Sequence, residues 1–437
     1  MDDAATKNVD LILHSAAQLL TLAGGPQRGS SLGQLGLLND GAIAIEGSQI
    51  LALGPTPHIL KNYTTDQMVD ATGKVVLPGF VDAHTHLVWA GDRSVEFEMR
   101  IGGASYMEIM AAGGGIASTV KETRAASLEE LKSQTRPRIH RMLAHGTTTA
   151  EAKSGYGLEF DAEAKLLAAI VALDQEGPLQ LVPTFLGAHA LPPESKETGE
   201  AGYERYTQEI IERMLPQIQS WWHGEYSERP LPYVDVFCEQ GAFNLAQSER
   251  IFRAAKALGF PLKIHADEFA GLGGTGLAVQ MGAISADHLV HTPPEDIEAL
   301  GTSTTVAVAL PATPFGLGEH DYTPAEAILK QGGILAIASD LNPGTAWCES
   351  MQMVIALACR YMQLTPAQAI AAGTINAAAA LNLDGSIGSL EIGKQADLLI
   401  LDAPDYRHLG YRFGVNLVAM TVKRGKIVYT AAAQPEV

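Results

Sequence analysis

Leu77-Pro78-Gly79-Phe80-Val81-Asp82-Ala83-His84-Thr85-His86 is the stretch on which the fold turns. It reads as a short apolar strand that ends in His-x-His. Alternate residues of a strand face the same side, so His84 and His86 share a face and Thr85 turns away. Two imidazoles on one face can hold a borderline metal such as zinc or iron. Two polar residues at a strand end would look the same in isolation. The Gly-Phe-Val-Asp lead-in and Asp92-Arg93 just downstream favour the metal. A metal then requires further ligands later in the chain, each at a strand end.

The middle of the chain alternates strand and helix, the pattern of a parallel α/β fold. Counting from the His-x-His segment, the second strand is Gly146–Glu151, running into Lys153-Ser-Gly-Tyr156-Gly. The third is Leu179–Leu186, ending at Gly187-Ala-His189, and the fourth is Tyr233–Cys238. The fifth, Pro261–His265, is followed by Ala-Asp-Glu268. The sixth is Ala283–Asp287, ending at His288. The seventh is Thr304–Leu310, and the eighth, Gly333–Ser339, ends at Asp340. Helices over Leu128–Ala144, Ala162–Leu173, Ser248–Leu258 and Glu349–Met362 separate them. Eight such strands predict a (β/α)8 TIM-like barrel, whose active site lies at the C-terminal strand ends.

Both chain ends read as short strands. Asp10–His14, Gly41–Glu46, Gln49–Leu53 and Lys74–Leu77 lie before the barrel, with a Gly- and Ser-rich loop over Thr21–Gly36. Gly393–Asp402 and Val422–Tyr429 lie after it. Neither end alone offers enough strands for a stable sheet. We therefore expect one small β-sandwich domain built from residues 1–76 and 388–437, with the barrel, residues 77–387, inserted between them.

The chain has 437 residues and is 46% hydrophobic, enough for a large core. Its net charge of −19 argues against nucleic-acid or anionic-membrane partners. No apolar run is long enough to span a bilayer. The acidic Met-Asp-Asp-Ala-Ala start lacks a signal-peptide apolar region, and Cys238, Cys348 and Cys359 form no C-x-x-C pair. A cytoplasmic protein with reduced thiols is expected, and a homodimer would be ordinary.

The barrel count brings distant polar residues to one mouth. His265 is the third candidate metal ligand and Asp340 the fourth, although Asp340 could instead cap the turn before Asn342-Pro343-Gly344. Three histidines and an aspartate leave room for a water, whose pKa a bound zinc brings to roughly 7. Glu268 can accept a proton or orient a substrate, and His288 can polarise a carbonyl or shuttle a proton. On so acidic a chain, Arg93 beside the metal suggests capture of a substrate carboxylate; an ion pair with Asp92 or Glu96 is the alternative. Tyr156 and His189 offer hydrogen bonds to a polar ring, and Asn342, Gly344 and Thr345 to a second polar end of the ligand.

Two glycine patterns are discounted. Gly271-Leu-Gly273-Gly-Thr-Gly276 begins too far past its strand for a dinucleotide fingerprint. Gly113-Gly-Gly115 lacks the Gly-Lys-Ser/Thr of a phosphate loop and reads as a lid over the mouth.

With these residues in place, the chain resembles the amidohydrolase superfamily. The resemblance rests on Pro78-Gly-Phe-Val-Asp-Ala-His-Thr-His86, Ala90-Gly-Asp-Arg93, Gly103-Ala-Ser-Tyr106 and Ala112-Gly-Gly-Gly-Ile116. Lys153-Ser-Gly-Tyr-Gly157, Pro183-Thr-Phe-Leu-Gly-Ala-His189, Val234-Asp-Val-Phe-Cys-Glu239, Lys263-Ile-His-Ala-Asp-Glu268, Ser285-Ala-Asp-His288 and Tyr411-Arg-Phe-Gly-Val-Asn416 extend it over nearly the whole chain. Within the superfamily it is similar to the branch that opens an imidazolone ring by hydrolysis in histidine degradation. That resemblance implies one divalent zinc or iron ion on His84, His86, His265 and Asp340. It implies contacts from Arg93, Tyr156, His189, Glu268, Asn342, Gly344 and Thr345 to a small anionic heterocycle; the chemistry of the residues separately leaves Glu268, His288 and Asp340 as the candidates for principal catalytic proton carrier. Pro311-Ala-Thr-Pro-Phe-Gly316 and Leu341 depart from the family pattern. A deaminase, or a two-metal hydrolase of cyclic amides, is the alternative. The latter usually needs a bridging lysine or glutamate on a mid-barrel strand. The fourth strand ends at Cys238-Glu239, and Lys153 stands after the second.

Overall fold

The computed structural model describes residues 6–104, 108, 114–195 and 199–432. Gly113 of the expected lid lies outside the described residues, as do Ser105, Tyr106 and Ala112 of the family-like motifs.

Eight parallel strands pair in chain order: Phe80–Asp82, Thr147–Lys153, Gln180–Ala188, Tyr233–Cys238, Leu262–Ala266, Ser285–His288, Val306–Ala309 and Ile334–Ile337. Helices on the outside separate most of them, so this is the expected (β/α)8 barrel. The ring closes through backbone just past the strand ends. The Asp340 amide donates to the His84 carbonyl at 3.0 Å, and the His86 amide donates to the Leu341 carbonyl at 2.9 Å. Two candidate metal-ligand segments therefore form the seam of the barrel.

The opening stretch is not one strand. Val75–Pro78 belongs to a different sheet, where it pairs antiparallel with Leu398–Leu401, and Phe80–Asp82 begins the barrel. The chain changes sheets at Gly79. A Cβ there would lie 2.2 Å from Thr148 Oγ1 and 2.4 Å from its Cγ2. Only glycine lets the chain cross so close to the second barrel strand. A second correction falls at the C-terminus. Val422–Tyr429 is not one strand but the turn of a hairpin, Val418–Lys423 with Lys426–Thr430. Arg424 and Gly425 both have positive φ, 50° and 74°, as a tight two-residue hairpin turn requires.

The chain ends build two larger sheets beside a two-stranded pair, Lys7–Asn8 with Tyr63–Thr64, and the first comes from the N-terminal end alone, contrary to the expectation that neither end supplies enough strands. One runs in the order Gln49–Pro55, Gly41–Glu46, Leu11–Ala16, Met68–Asp70. The other runs Lys426–Thr430, Val418–Lys423, Leu398–Leu401, Val75–Pro78, Gln18–Leu20, Leu37–Leu38. Leu11, Leu13, Ile43 and Ile45 meet Val76, Leu398, Ile400 and Val422 in an aliphatic core between them. Alternating burial along Gln49–Pro55 shows the period-2 pattern of a sheet wet on one side.

Helix starts follow their caps. Leu128–Ala144 opens on a Ser127–Glu130 capping box and matches its expected span. The helix expected from Ser248 starts three residues earlier, at Leu245, because Asn244 accepts the Gln247 amide. The three cysteines are unpaired, as expected. Among the described residues no helix is long and apolar enough to cross a membrane.

Candidate active site at the barrel mouth

Three imidazoles meet at the C-terminal end of the barrel. His84 and His86 come from the seam, and His265 from the fifth strand. All three are buried, and one ring nitrogen from each lies within 4.8 Å of the others. Asp340 Oδ1 is 3.5 Å from His84 Nε2 and 3.6 Å from His86 Nε2. Its other oxygen accepts from Thr313 Oγ1 at 2.6 Å. Thr313 stands in Pro311–Gly316, the stretch that departs from the family pattern.

The imidazoles are aimed from below. His84 Nδ1 donates to Asp287 Oδ2 at 2.7 Å, and His265 Nδ1 donates to Asp235 Oδ1 at 3.0 Å. A carboxylate can only accept, so each Nδ1 carries a proton and each ring is fixed with Nε2 turned toward the other imidazoles. His84 Nε2 is buried with no hydrogen-bond partner. His265 Nε2 and His86 Nε2 face each other at 3.3 Å. Buried lone pairs converging in this way fit a cation among them, and three nitrogens with one carboxylate oxygen form a donor set suited to zinc or iron. Burial, then neighbouring cationic groups, hold the His84 imidazole well below its ordinary pKa. His86 and His288 are lowered in the same way. The His84, His86 and His288 rings are therefore neutral, and His84 and His86 have the form that can bind a metal.

A second group, His84, Glu151 and Asp287, also brings ligand atoms together. Ammonium groups already engage it. Lys153 Nζ lies 2.9 Å from Glu151 Oε1, and Lys263 Nζ lies 3.0 Å from Glu151 Oε2. Lys153, expected after the second strand, is its last residue and is wholly buried.

Above the imidazoles opens a cavity of about 650 Å³. His86, His265, Glu268, His288 and Asp340 line its floor, and Arg93, Tyr156, His189, Asn342, Gly344 and Thr345 its walls. His84 lies beneath, outside the lining. Every candidate site residue is thus at one place. Their individual settings add detail that motifs could not supply.

Arg93 is forked onto Glu96, through Nε at 2.9 Å and through Nη2. The ion pair weighed as the alternative is therefore made, while the guanidinium still lines the cavity. Gly344 passes over it, and a Cβ on Gly344 would lie 2.3 Å from Arg93 Nη1. Asn342 organises its own loop. Its Oδ1 accepts the Gly344 and Thr345 amides, both at 2.8 Å, and its Nδ2 donates to the Asp340 carbonyl at 2.7 Å. The turn-capping role considered for Asp340 thus belongs to Asn342.

His189 donates from Nδ1 to the Gly155 carbonyl at 2.9 Å, leaving Nε2 as an acceptor. Its ring stacks on His86, with centroids 5.0 Å apart. Burial, then His265, push its pKa down to about 3, so it stays neutral. Tyr156 is held by a loop whose Gly155, Gly157 and Leu158 amides donate to the buried Glu163 at 2.9, 2.7 and 2.7 Å. Glu268 Oε1 lies 3.6 Å from His288 Nδ1. Burial, then the charges of Asp340 and Glu239, raise the Glu268 carboxyl well above the ordinary range. Asp340 is raised to about 6, mainly by burial. His288 and Asp340 have positive φ, 81° and 51°, backbone strain of the kind that collects at functional sites.

Asp235, Asp287, Lys263 and Glu163 were not among the expected site residues. Their signal was a charge at an inward position of a buried strand or helix, where charges are rare unless paired.

Comparison with known proteins agrees with this geometry. Residues 75–428 match the Amidohydrolase family. The imidazolonepropionase of Herpetosiphon aurantiacus is 51% identical over 421 residues, covering 96% of this chain and 97% of that protein. The imidazolonepropionase of Chloroflexus aggregans is 49% identical over 425 residues, covering 96% and 99%. In fold, the chain is similar to E. coli guanine deaminase, with a TM-score of 0.70 at 14% identity over 96% of this chain and 99% of that one. It is also similar to a zinc-bound adenosine deaminase from Xanthomonas campestris, with a TM-score of 0.67 at 18% identity over 97% and 93%. The deaminase likeness concerns the fold alone, whereas the full-length identities reach the family itself: the chain belongs to the imidazolonepropionase family of amidohydrolases.

Proposed function

We propose that the protein opens 4-imidazolone-5-propanoate by hydrolysis to N-formimidoyl-L-glutamate, with one zinc or iron ion held by His84, His86, His265 and Asp340. The observation that carries the reading is the convergence of three imidazole nitrogens and one carboxylate oxygen at a barrel mouth that an arginine also lines. A bound divalent ion supplies Lewis-acid polarisation and acidifies water.

The chain's own residues do the rest. Water adds to the ring carbonyl carbon, the carbonyl–nitrogen bond breaks, and the freed nitrogen takes up a proton. Glu268, whose burial favours its proton, hands that proton to the departing nitrogen, while Asp340 takes one from water. His288, neutral and buried beside Glu268, donates to the oxygen where charge develops. Arg93 receives the propanoate on the face of its guanidinium not taken by Glu96. His189 Nε2 accepts from the ring N–H, and Tyr156 contacts the polar ring.

One ion suits the local charge. Four carboxyl groups, on Glu151, Asp235, Asp287 and Asp340, stand against two amino groups, on Lys153 and Lys263. A single divalent cation suits that excess of carboxyl groups. Freshly prepared imidazolone propanoate, mixed with the protein before and after chelation, tests the reading. We expect hydrolysis that chelation abolishes and zinc or iron restores. A fully metallated protein that leaves the substrate intact would overturn it.

A further inference from the structure

Five charged side chains are wholly buried in the barrel lumen below the imidazoles: Glu151, Lys153, Asp235, Lys263 and Asp287. They come from the second, fourth, fifth and sixth strands. Burying charge costs several kcal/mol per ion unless each is paired and hydrogen-bonded, and here each one is. Lys153 Nζ donates to Asp235 Oδ2 at 2.6 Å and to Glu151 Oε1 at 2.9 Å. It also lies 3.6 Å from Asp287 Oδ2. Lys263 Nζ donates to Glu151 Oε2 at 3.0 Å and to the Ala83 carbonyl at 2.9 Å, one residue before His84. It lies 3.8 Å from Asp287 Oδ2. Glu151 is tied further by Thr184 Oγ1 at 2.5 Å, and Asp287 by Ser285 Oγ at 2.6 Å.

The arrangement is a chain of command. Two lysines hold two aspartates, and each aspartate holds the Nδ1–H of one imidazole. Neither lysine lines the cavity, and the hydrolytic steps use neither. A purely stabilising network would not need to end on the two imidazoles whose far nitrogens face the ion. Groups that orient metal-bound histidines typically matter 10–100-fold in metal affinity.

We propose that Lys153 and Lys263 are positioning residues for the metal centre, fixing Asp235 and Asp287 so that the His265 and His84 rings are held with Nε2 turned toward the shared site before any ion arrives. The inference rests on the metal-dependent reading above and adds the source of its preorganisation. A lysine-only role in folding is the competing account. It predicts equal loss of stability in metal-free and metal-loaded protein, whereas positioning predicts weaker metal binding.

The test uses full-length Lys153→Met and Lys263→Met, which remove the ammonium at nearly constant length. Zinc affinity is read by competition with a chromophoric chelator, beside the melting temperature of the metal-free chain. The expected result is an affinity lower by about 10–100-fold in each variant. Affinity within twofold of wild type in both, whatever happens to the melting temperature, overturns the proposal. Nitrogen NMR of histidine-labelled, metal-free wild type covers the case in which neither variant folds. His84 and His265 are expected in the Nδ1–H tautomer at neutral pH, and mixed tautomers there overturn the proposal equally. All readings are made without substrate, so a failure of hydrolysis and a failure of positioning are told apart.

Discussion

Between the two sheets made from the chain ends lies an aliphatic core that includes Leu11, Ile43, Leu398 and Ile400. At equal depth inside the barrel lie Glu151, Lys153, Asp235, Lys263 and Asp287, each ion-paired. The first interior is held by burial of carbon, which is non-directional and tolerant of detail. The second is held by geometry, where each charge needs a particular partner at a particular distance. The difference shows where this protein keeps its chemistry. A core built only for stability has no reason to bury five charges, whereas a core that aims two imidazoles does.

Mutations at the two places should therefore fail differently. The largest effect is expected at the imidazoles: His265→Ala should lower hydrolysis by about 10³-fold or more, with parallel loss of bound metal, since the ion supplies several kcal/mol of catalysis. Elemental analysis beside the rate measurement checks this. Next, Leu398→Ala between the terminal sheets should cost about 2–5 kcal/mol of stability by leaving a cavity. KM and metal content should stay unchanged. If Leu398→Ala strips the metal, the two interiors are not independent.

Arg93→Ala is expected to raise KM by roughly 10–100-fold, the worth of a charge-assisted hydrogen bond or two, while metal content holds. Equal loss of metal would make Arg93 structural, through its fork to Glu96. A pH effect follows from Asp82, which accepts from the Ser339 hydroxyl and amide and is raised to about 7, mainly by burial. The folded chain keeps a proton there that the unfolded chain has already lost. That contribution to stability is present below the ordinary aspartate range and fades as pH rises toward 7. Melting of metal-free Asp82→Asn should show a flatter pH dependence over that range than wild type. The smallest effect belongs to the surface: breaking Lys7–Glu46, half-exposed on both sides, should change stability by less than about 1 kcal/mol.

His84, His86, His265 and Asp340 could be picked out beforehand because a strand-end histidine or acid is a sparse and regular signal. The barrel followed from the same regularity. The sheet change at Gly79 is marked locally only by the Pro78-Gly79 pair inside an otherwise strand-like stretch, and nothing local says that Thr148 crowds it. The Val418–Thr430 hairpin was hidden because Arg424, not glycine, takes the first positive φ of its turn. Lys153 and Asp235 are charged residues on buried barrel strands, but their pairing joins residues 82 positions apart. Such a pairing depends on barrel register rather than on any local pattern. Asn342 lines the cavity, but that its side chain also ties its own loop depends on the fold of residues 340–345 and not on a motif.

The most direct measurement is a titration of the metal-free protein with zinc or ferrous iron while the opening of imidazolone propanoate is followed. The account predicts a rate that climbs linearly and levels at one equivalent per chain. Full activity before any metal is added, or a plateau only at two equivalents, would contradict it.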